Sequence, residues 1–518
     1  MKTTIKLVIL MALTPFLFSA CADDYLNTIP TASTSTETVF QDTKAAKMAV
    51  NGMARLMVNQ YNGFSQVFCG EGTIKFICGE YMGENFSRPN MSSGSYDLMN
   101  GSLLDRNTSN YIKFPWSYYY MLIGNANMII ANIDNAAGEE SERKFIKAQA
   151  LSYRAYCYAQ LVQFYCYRWA DSNGGTSVTN LQDGLIYRTE ENMDVKDIAL
   201  VSSGEIYKLI YADLDQAINL FSESGIKRND VWEPNINVAF AIYARAAITK
   251  QDYSKARDMA NKARAGYPLM NNAEYTSGFS KDNEEWIWGS YGGDEQTLHF
   301  YGFHSYMAYD ANTSVVRSYP VCMSKTLYER IPSTDIRKNM FLDPGDNSYS
   351  QTVGTVNKEF AEIVRSEHPT MLKSHQVAAY HSFKFSIGGS IGVGYINHFR
   401  SSEMLLIEAE ASYFSGDEAE AQKLLNQLTR DSKRDEAYNC TATGEDLLKE
   451  IKFYRAVELW GEGFDWLDKK RYNEPIVRLS FKDGGNFGSS TAVKREVDYK
   501  NKWTYVTPLV ESENNNEL

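Results

Sequence analysis

Arg455, Glu458 and Glu462 recur at spacings of three and four in EIKFYRAVELWGEGFDWLDKKRY (Glu450–Tyr472). On a helix they share a face. Two uses fit such a face: a site for a charged ligand, or an ion-pair network that holds the last helices together. The second is favoured, with Trp460 and Trp466 as packing residues. Other catalytic patterns are missing from the chain. Of six histidines, His299 and His304 stand five apart, which does not match the i, i+4 pair of a zinc helix. There is no HExxH, no close pair of CxxC motifs and no GxSxG elbow. GGSIGVG (Gly388–Gly394) lacks the Lys-Ser/Thr of a phosphate loop and reads as a tight turn. Carboxylate pairs fit for glycoside hydrolysis are set by space rather than sequence, and 64 acidic residues offer many such pairs. No catalytic residue, metal ligand or cofactor is therefore assigned.

The chain carries 35 Tyr, 25 Phe and 8 Trp. Most of these rings fill a core, but Tyr also suits contact surfaces that are partly wet. Two stretches rich in Gly, Asn and Ser concentrate them, residues 79–114 and 286–319. Tyr or Trp stacks on the C–H face of a sugar ring, while Asn, Asp or Arg pins its hydroxyls. The residues expected to touch a ligand are Tyr81, Asn85, Arg88 and Tyr96 in the first stretch, and Tyr291 and Tyr301 in the second.

Behind these stretches stand helices. Trp116, Tyr120, Ile123, Asn127 and Ile130 recur at three and four. Phe145–Tyr167 and Glu205–Phe221 are further long amphipathic runs. RAAITKQDYSKARDMAN (Arg245–Asn261) aligns without gaps on EASYFSGDEAEAQKLLN (Glu410–Asn426). Each copy reads as helix, tight turn at Gln251-Asp252 or Gly416-Asp417, helix. Ala246 and Ala411 stand where paired helices approach closely, and the unit resembles a tetratricopeptide helix pair. EEWIWGSY reads as a short strand entering a loop. The expected fold is mainly α: a tetratricopeptide-like helix-pair scaffold with long loop-rich insertions and a few short strands.

Met1–Ala20 has a basic start (Lys2, Lys6), an apolar stretch from Leu7 to Phe18 and small residues before Cys21. The apolar part is shorter than the roughly 20 residues of a membrane span. The pattern predicts a cleaved signal, with Cys21 acylated as the new N-terminus. Several acyl chains anchor a protein stably where one does not. Asp23 and Asp24 follow, like the acidic export signals of some Bacteroides-type lipoproteins. A net charge of −12 gives no general attraction for nucleic acid or anionic lipid. Val238–Ile248, the most apolar later segment, is interrupted by Arg245. Cys157 and Cys166 stand nine apart on a helix, on opposite faces, and read as core residues. Whether Cys69 and Cys78 pair stays open.

Four segments together resemble the SusD/RagB family of outer-membrane nutrient-binding lipoproteins. They are CADDYLNTIPTASTSTETVF, FIKAQALSYRAYCYAQLVQFYCYRW, HFRSSEMLLIEAEASYFSGDEAEAQKLLNQL and RAVELWGEGFDWLDKKRY. Asp465 departs from the family, which often has Arg or His there. The resemblance implies residues 1–20 as signal peptide, 21–40 as tether, 41–285 as an amino-terminal helical part and 286–518 as a carboxy-terminal part. It implies a surface lipoprotein, without catalytic role, that captures oligosaccharides, or less often peptides. It would pass them to a partner SusC-like TonB-dependent outer-membrane transporter.

Overall fold

The computed structural model describes residues 36–60, 64–65, 67–91, 95–172, 183–293, 302–389, 392–495 and 504–518. Cys21 and Tyr301 lie outside the described residues. Helices dominate, as the periodicity predicts. In the amino-terminal half, α1 (Thr43–Leu56), α2 (Asn110–Asn132), α3 (Glu140–Tyr165) and α4 (Ser203–Ser224) pack around α3, which is buried along almost its whole length. Small residues let it sit at the centre: Ala148, Ala150 and Ala155 are fully covered. Pro115 interrupts the start of α2, and the ladder opens just beyond it. The Tyr165 hydroxyl fills the gap. It accepts from the Trp116 amide (3.0 Å) and donates to the Ile112 carbonyl (2.5 Å), satisfying both groups.

The sequence repeat is a structural repeat. α5 (Ile236–Thr249) and α6 (Tyr253–Ala263) form one helix pair, and α7 (Ser401–Phe414) and α8 (Glu418–Asn426) the other. Both turns are built alike. Gln251 (φ 61°) and Gly416 (φ 82°) adopt the left-handed conformation. Asp252 N then donates to Ala247 O and Asp417 N to Ser412 O, each at 2.9 Å. Each aspartate caps the next helix, accepting from Lys255 N or Glu420 N. Ala246 and Ala411 are buried, as expected of close-approach positions. The pairs join through stacked Tyr253 and Phe414 rings and through Asn261 and Arg264, which both donate to Glu408. A smaller apolar core of Leu405, Leu406, Leu424, Leu425, Leu447 and Ile451 binds α7 and α8 to α9 (Gly444–Glu458). The short helix α10 (Asp465–Tyr472) follows.

The strands are short antiparallel pairs that tie distant parts of the chain together. β1 (Phe86–Ser87) pairs with β5 (Cys322–Met323), β2 (Gly184–Ile186) with β3 (Leu200–Ser202), β4 (Trp286–Ser290) with β6 (Ile396–Arg400), and β7 (Ile476–Arg478) with β8 (Val493–Arg495). Here the structure departs from the expectation of a solvated loop over residues 79–114. The π-helical turn Ile74–Glu80 is wholly buried and β1 is covered. The carboxy-terminal segment crosses directly over it. A Cβ on Gly79 would lie 2.3 Å from the Gly463 carbonyl oxygen, so only glycine fits there. Cys69 and Cys78 are buried and form no disulfide with each other, which answers the pairing left open above, and Cys157 and Cys166 are buried core residues. No helix of the described residues is long and apolar enough to cross a membrane.

Candidate ligand-binding surface

Of the named aromatics among the described residues, Tyr291 is the most exposed. Tyr291 is 37 % exposed. It follows the last residue of β4, where Ser290 pairs with Ile396, so Tyr395 stands at the matching end of β6. Trp232 joins them from the turn before α5. The Tyr291 ring meets Trp232 edge-on at 5.3 Å and Tyr395 edge-on at 5.4 Å. The turn is fixed to the strand: Trp288 Nε1 donates to the Trp232 carbonyl (3.2 Å), and Arg228 Nη1 donates to the Ile287 carbonyl (2.6 Å). Glu233 accepts from Asn229 N (2.8 Å) and pairs with Lys47, and the Asn229 side chain is exposed in the same turn. Just past Tyr291 the two backbones touch, and a Cβ on Gly292 would stand 2.2 Å from the Gly394 carbonyl. Gly388 N donates to Val393 O (2.7 Å), which brings the two ends of the Gly-rich run together. Its Ser390 and Ile391 lie outside the described residues.

His304 supports Tyr395 from beneath. Burial pushes its imidazole down to about 4, against the opposing hydrogen bond to the Tyr395 carbonyl, so the ring is neutral at pH 7. Nε2 carries the proton, because its partner at 2.9 Å is that carbonyl and can only accept. His304 sits in a one-turn helix, Phe303–Met307. From the same turn the Tyr306 carbonyl accepts from Arg88 Nη2 (2.6 Å), and the Tyr306 ring stacks on Phe76 at 4.6 Å.

The amino-terminal candidates are placed differently. Tyr81 is 4 % exposed: its ring packs on Phe76 and Phe86, and the Arg88 guanidinium lies 5.6 Å from its centroid. It therefore offers no open face. Arg88 is buried with it. Asn85 is held by Asp465, whose carboxylate accepts from Asn85 N (2.6 Å) and Nδ2 (2.7 Å), while Asn85 O accepts from Trp460 Nε1. Tyr96 opens a one-turn helix and is half-buried against the core. Tyr81, Asn85 and Arg88 share one physical reason. Residues 79–91 are roofed by the segment 460–487, and Arg478 donates to the Tyr81 and Met99 carbonyls. Trp232 and Tyr395 were missed. The signals available were an aromatic in a Pro-containing turn before a helix and one between a glycine turn and a strand.

Of the two readings of the carboxy-terminal charges, the structure bears out the network. Arg400 bonds Glu462 through both Nε and Nη2 at 2.9 Å and reaches Glu285 and Glu458 through Nη1 at 2.8 Å. Lys384 adds a bond to Glu462 and Arg337 one to Glu458. All six side chains are buried, so no ligand reaches them. Arg455 is not a member. It bonds Asp468 at 2.6 Å, and α9 ends at Glu458, so the helical spacing does not extend to Glu462. Trp460 and Trp466 are core residues, as expected.

Two family models cover nearly the whole chain. Residues 24–248 match one described as "Starch-binding associating with outer membrane", and residues 246–517 match the SusD family. No curated protein matches. Among solved structures, a SusD-like carbohydrate binding protein from Bacteroides vulgatus is 22% identical with a TM-score of 0.75, over 92% of this chain and 98% of that one. A SusD superfamily protein from Bacteroides thetaiotaomicron is 20% identical with a TM-score of 0.70, over 92% and 98%. One from Bacteroides fragilis is 18% identical with a TM-score of 0.68, over 93% and 99%. At these identities the likeness concerns the fold, and it agrees with the family match: the chain belongs to the SusD family.

Proposed function

We propose that the protein is a saccharide-binding lipoprotein of the outer membrane, anchored through Cys21 and facing the cell exterior. It hands its ligand to a TonB-dependent transporter and performs no chemistry on it. The observation that carries this reading is the Trp232–Tyr291–Tyr395 group. Three rings in edge-to-face contact leave Tyr291 37 % exposed, an aromatic surface beside a two-stranded support. Such a face buries the apolar side of a sugar ring, and the exposed Asn229 amide is at hand for hydroxyls. The description of the matched family model and the carbohydrate-binding relative from Bacteroides vulgatus support the same ligand class. The test is affinity electrophoresis of the intact chain in gels containing neutral polysaccharides. Retardation by at least one is expected. Retention of peptides with no retardation by any polysaccharide would overturn the reading. For the anchor, Cys21→Ala is expected to leave the membrane fraction while keeping its fold.

A further inference from the structure

A third apolar core is small and separate. Residues 356–377, with the helix Lys358–Glu367, bring Ala361, Val364, Met371 and Val377 onto Leu342 and Phe383. Val356 N donates to the Val377 carbonyl (3.0 Å), so both ends of this flap leave the body at one place. Three of the chain's six histidines meet in it. The Phe383 ring stacks with His368 at 3.7 Å and with His381 at 5.5 Å, and Tyr309 meets His368 and Phe383 edge-on at 5.5 and 5.4 Å. His375 Nδ1 donates to the Tyr309 carbonyl (3.0 Å), which fixes its tautomer. His375 Nε2 and His381 Nδ1 are buried and find no hydrogen-bond partner among the described residues. The groups facing these rings give a proton little help. Arg317 and Arg365 face His375, Arg365 being paired with Glu362, and His375 and His368 face His381. Against His381, β5 sets Cys322, whose thiol burial keeps protonated. Asp310, next to Tyr309, is itself pushed up by burial, and Glu367 beside His368 is the one of these groups that favours a cation. Burial holds all three imidazoles below their ordinary range, His381 at about 3.

We infer that residues 356–377 form an acid-released flap: uncharged His368, His375 and His381 let it lie on Phe383 at neutral pH, and protonation of these rings lifts it while the helical body stays folded. An imidazolium inside this core would be a buried charge without a counter-ion, whereas the open flap gives the same ring water. The sign follows from the lowered imidazoles. The closed form has its full stability above the ordinary histidine value of about 6.5 and loses it as pH falls toward the folded values. Each ring that takes its proton only in the open form multiplies the opening constant by about ten per pH unit in that window.

The experiment is hydrogen exchange of the intact chain at about pH 7 and about pH 5, read by mass spectrometry and corrected for the intrinsic pH dependence of exchange. Peptides within residues 356–377 are expected to lose protection at least about tenfold at the lower pH, while α3 keeps its own. A double variant, His375→Asn with His381→Gln, keeps an amide donor near the Tyr309 carbonyl and cannot be charged; it is expected to lose most of the pH dependence. Circular dichroism checks that it folds, and the parent's own profile decides the matter if it does not. Equal protection of the flap at both pH values, or a loss shared equally by α3, would overturn the inference. So would an unchanged pH dependence in the folded double variant.

Discussion

Arg400 and Glu462 meet in a bidentate pair, each contact 2.9 Å, with both side chains buried. The pair joins β6 to the turn after α9. Removing Arg400 leaves Glu285 without an ion pair in the core and Glu462 and Glu458 with only Lys384 and Arg337, and breaking a buried pair in this way costs roughly 3–5 kcal/mol. Arg400→Met is expected to lose that much in denaturant unfolding.

The same network predicts an acid limit. Burial alone would raise the Glu458 carboxyl, but Arg400 and the other arginines outweigh it and hold it at about 2, with Glu462 lower still. Carboxyls depressed in the folded state stabilise above their ordinary value near 4.5, and that stability is lost as pH falls toward 2. A melting curve taken against pH is expected to drop across this window in the parent and to be flatter in Arg400→Met.

Glu80 predicts the opposite slope. Burial, then the nearby Asp465, raises its carboxyl, while bonds from Gly463 N and Phe464 N oppose the shift. A raised carboxyl stabilises fully below its unfolded value, and the contribution is lost as pH climbs through the folded one. Glu80→Gln keeps an oxygen for both amides and removes the charge. Its stability relative to the parent is expected to grow from about pH 5 to about pH 9 by at least ~1.4 kcal/mol, the worth of a tenfold change in proton affinity. A constant difference across that range would refute the assignment.

Ala411 is fully buried at the helix-pair contact. Overpacking such a position costs about 1–3 kcal/mol. Ala411→Leu is expected to lower the melting temperature while leaving saccharide affinity, measured below the melt, unchanged.

What could be read from the chain was what local periodicity encodes. The long helices and the two-copy helix pair, down to the turns at Gln251 and Gly416, follow from spacing within a few turns. The environment of Tyr81, Asn85 and Arg88 does not. Glycine, asparagine and serine around them suggest a solvated loop. The groups that cover them, Arg478, Asp465 and Tyr306, come from more than 200 residues further along. Composition carries no trace of such a roof. Tyr291 escaped burial because it lies past the end of β4, and Trp232 became its neighbour only through the turn that Trp288 and Arg228 fasten to that strand.

The central claim is that saccharides bind on the Tyr291 face. Its most direct measurement is titration calorimetry of the parent, Tyr291→Ala and Trp232→Ala against whichever neutral oligosaccharide the parent binds. Loss of a stacking ring forfeits its buried area and roughly 0.5–1.5 kcal/mol of geometry-specific contact. The account predicts at least tenfold weaker binding for Tyr291→Ala, since about 1.4 kcal/mol is a factor of ten, and a smaller loss for Trp232→Ala. Equal affinity in all three proteins would contradict it.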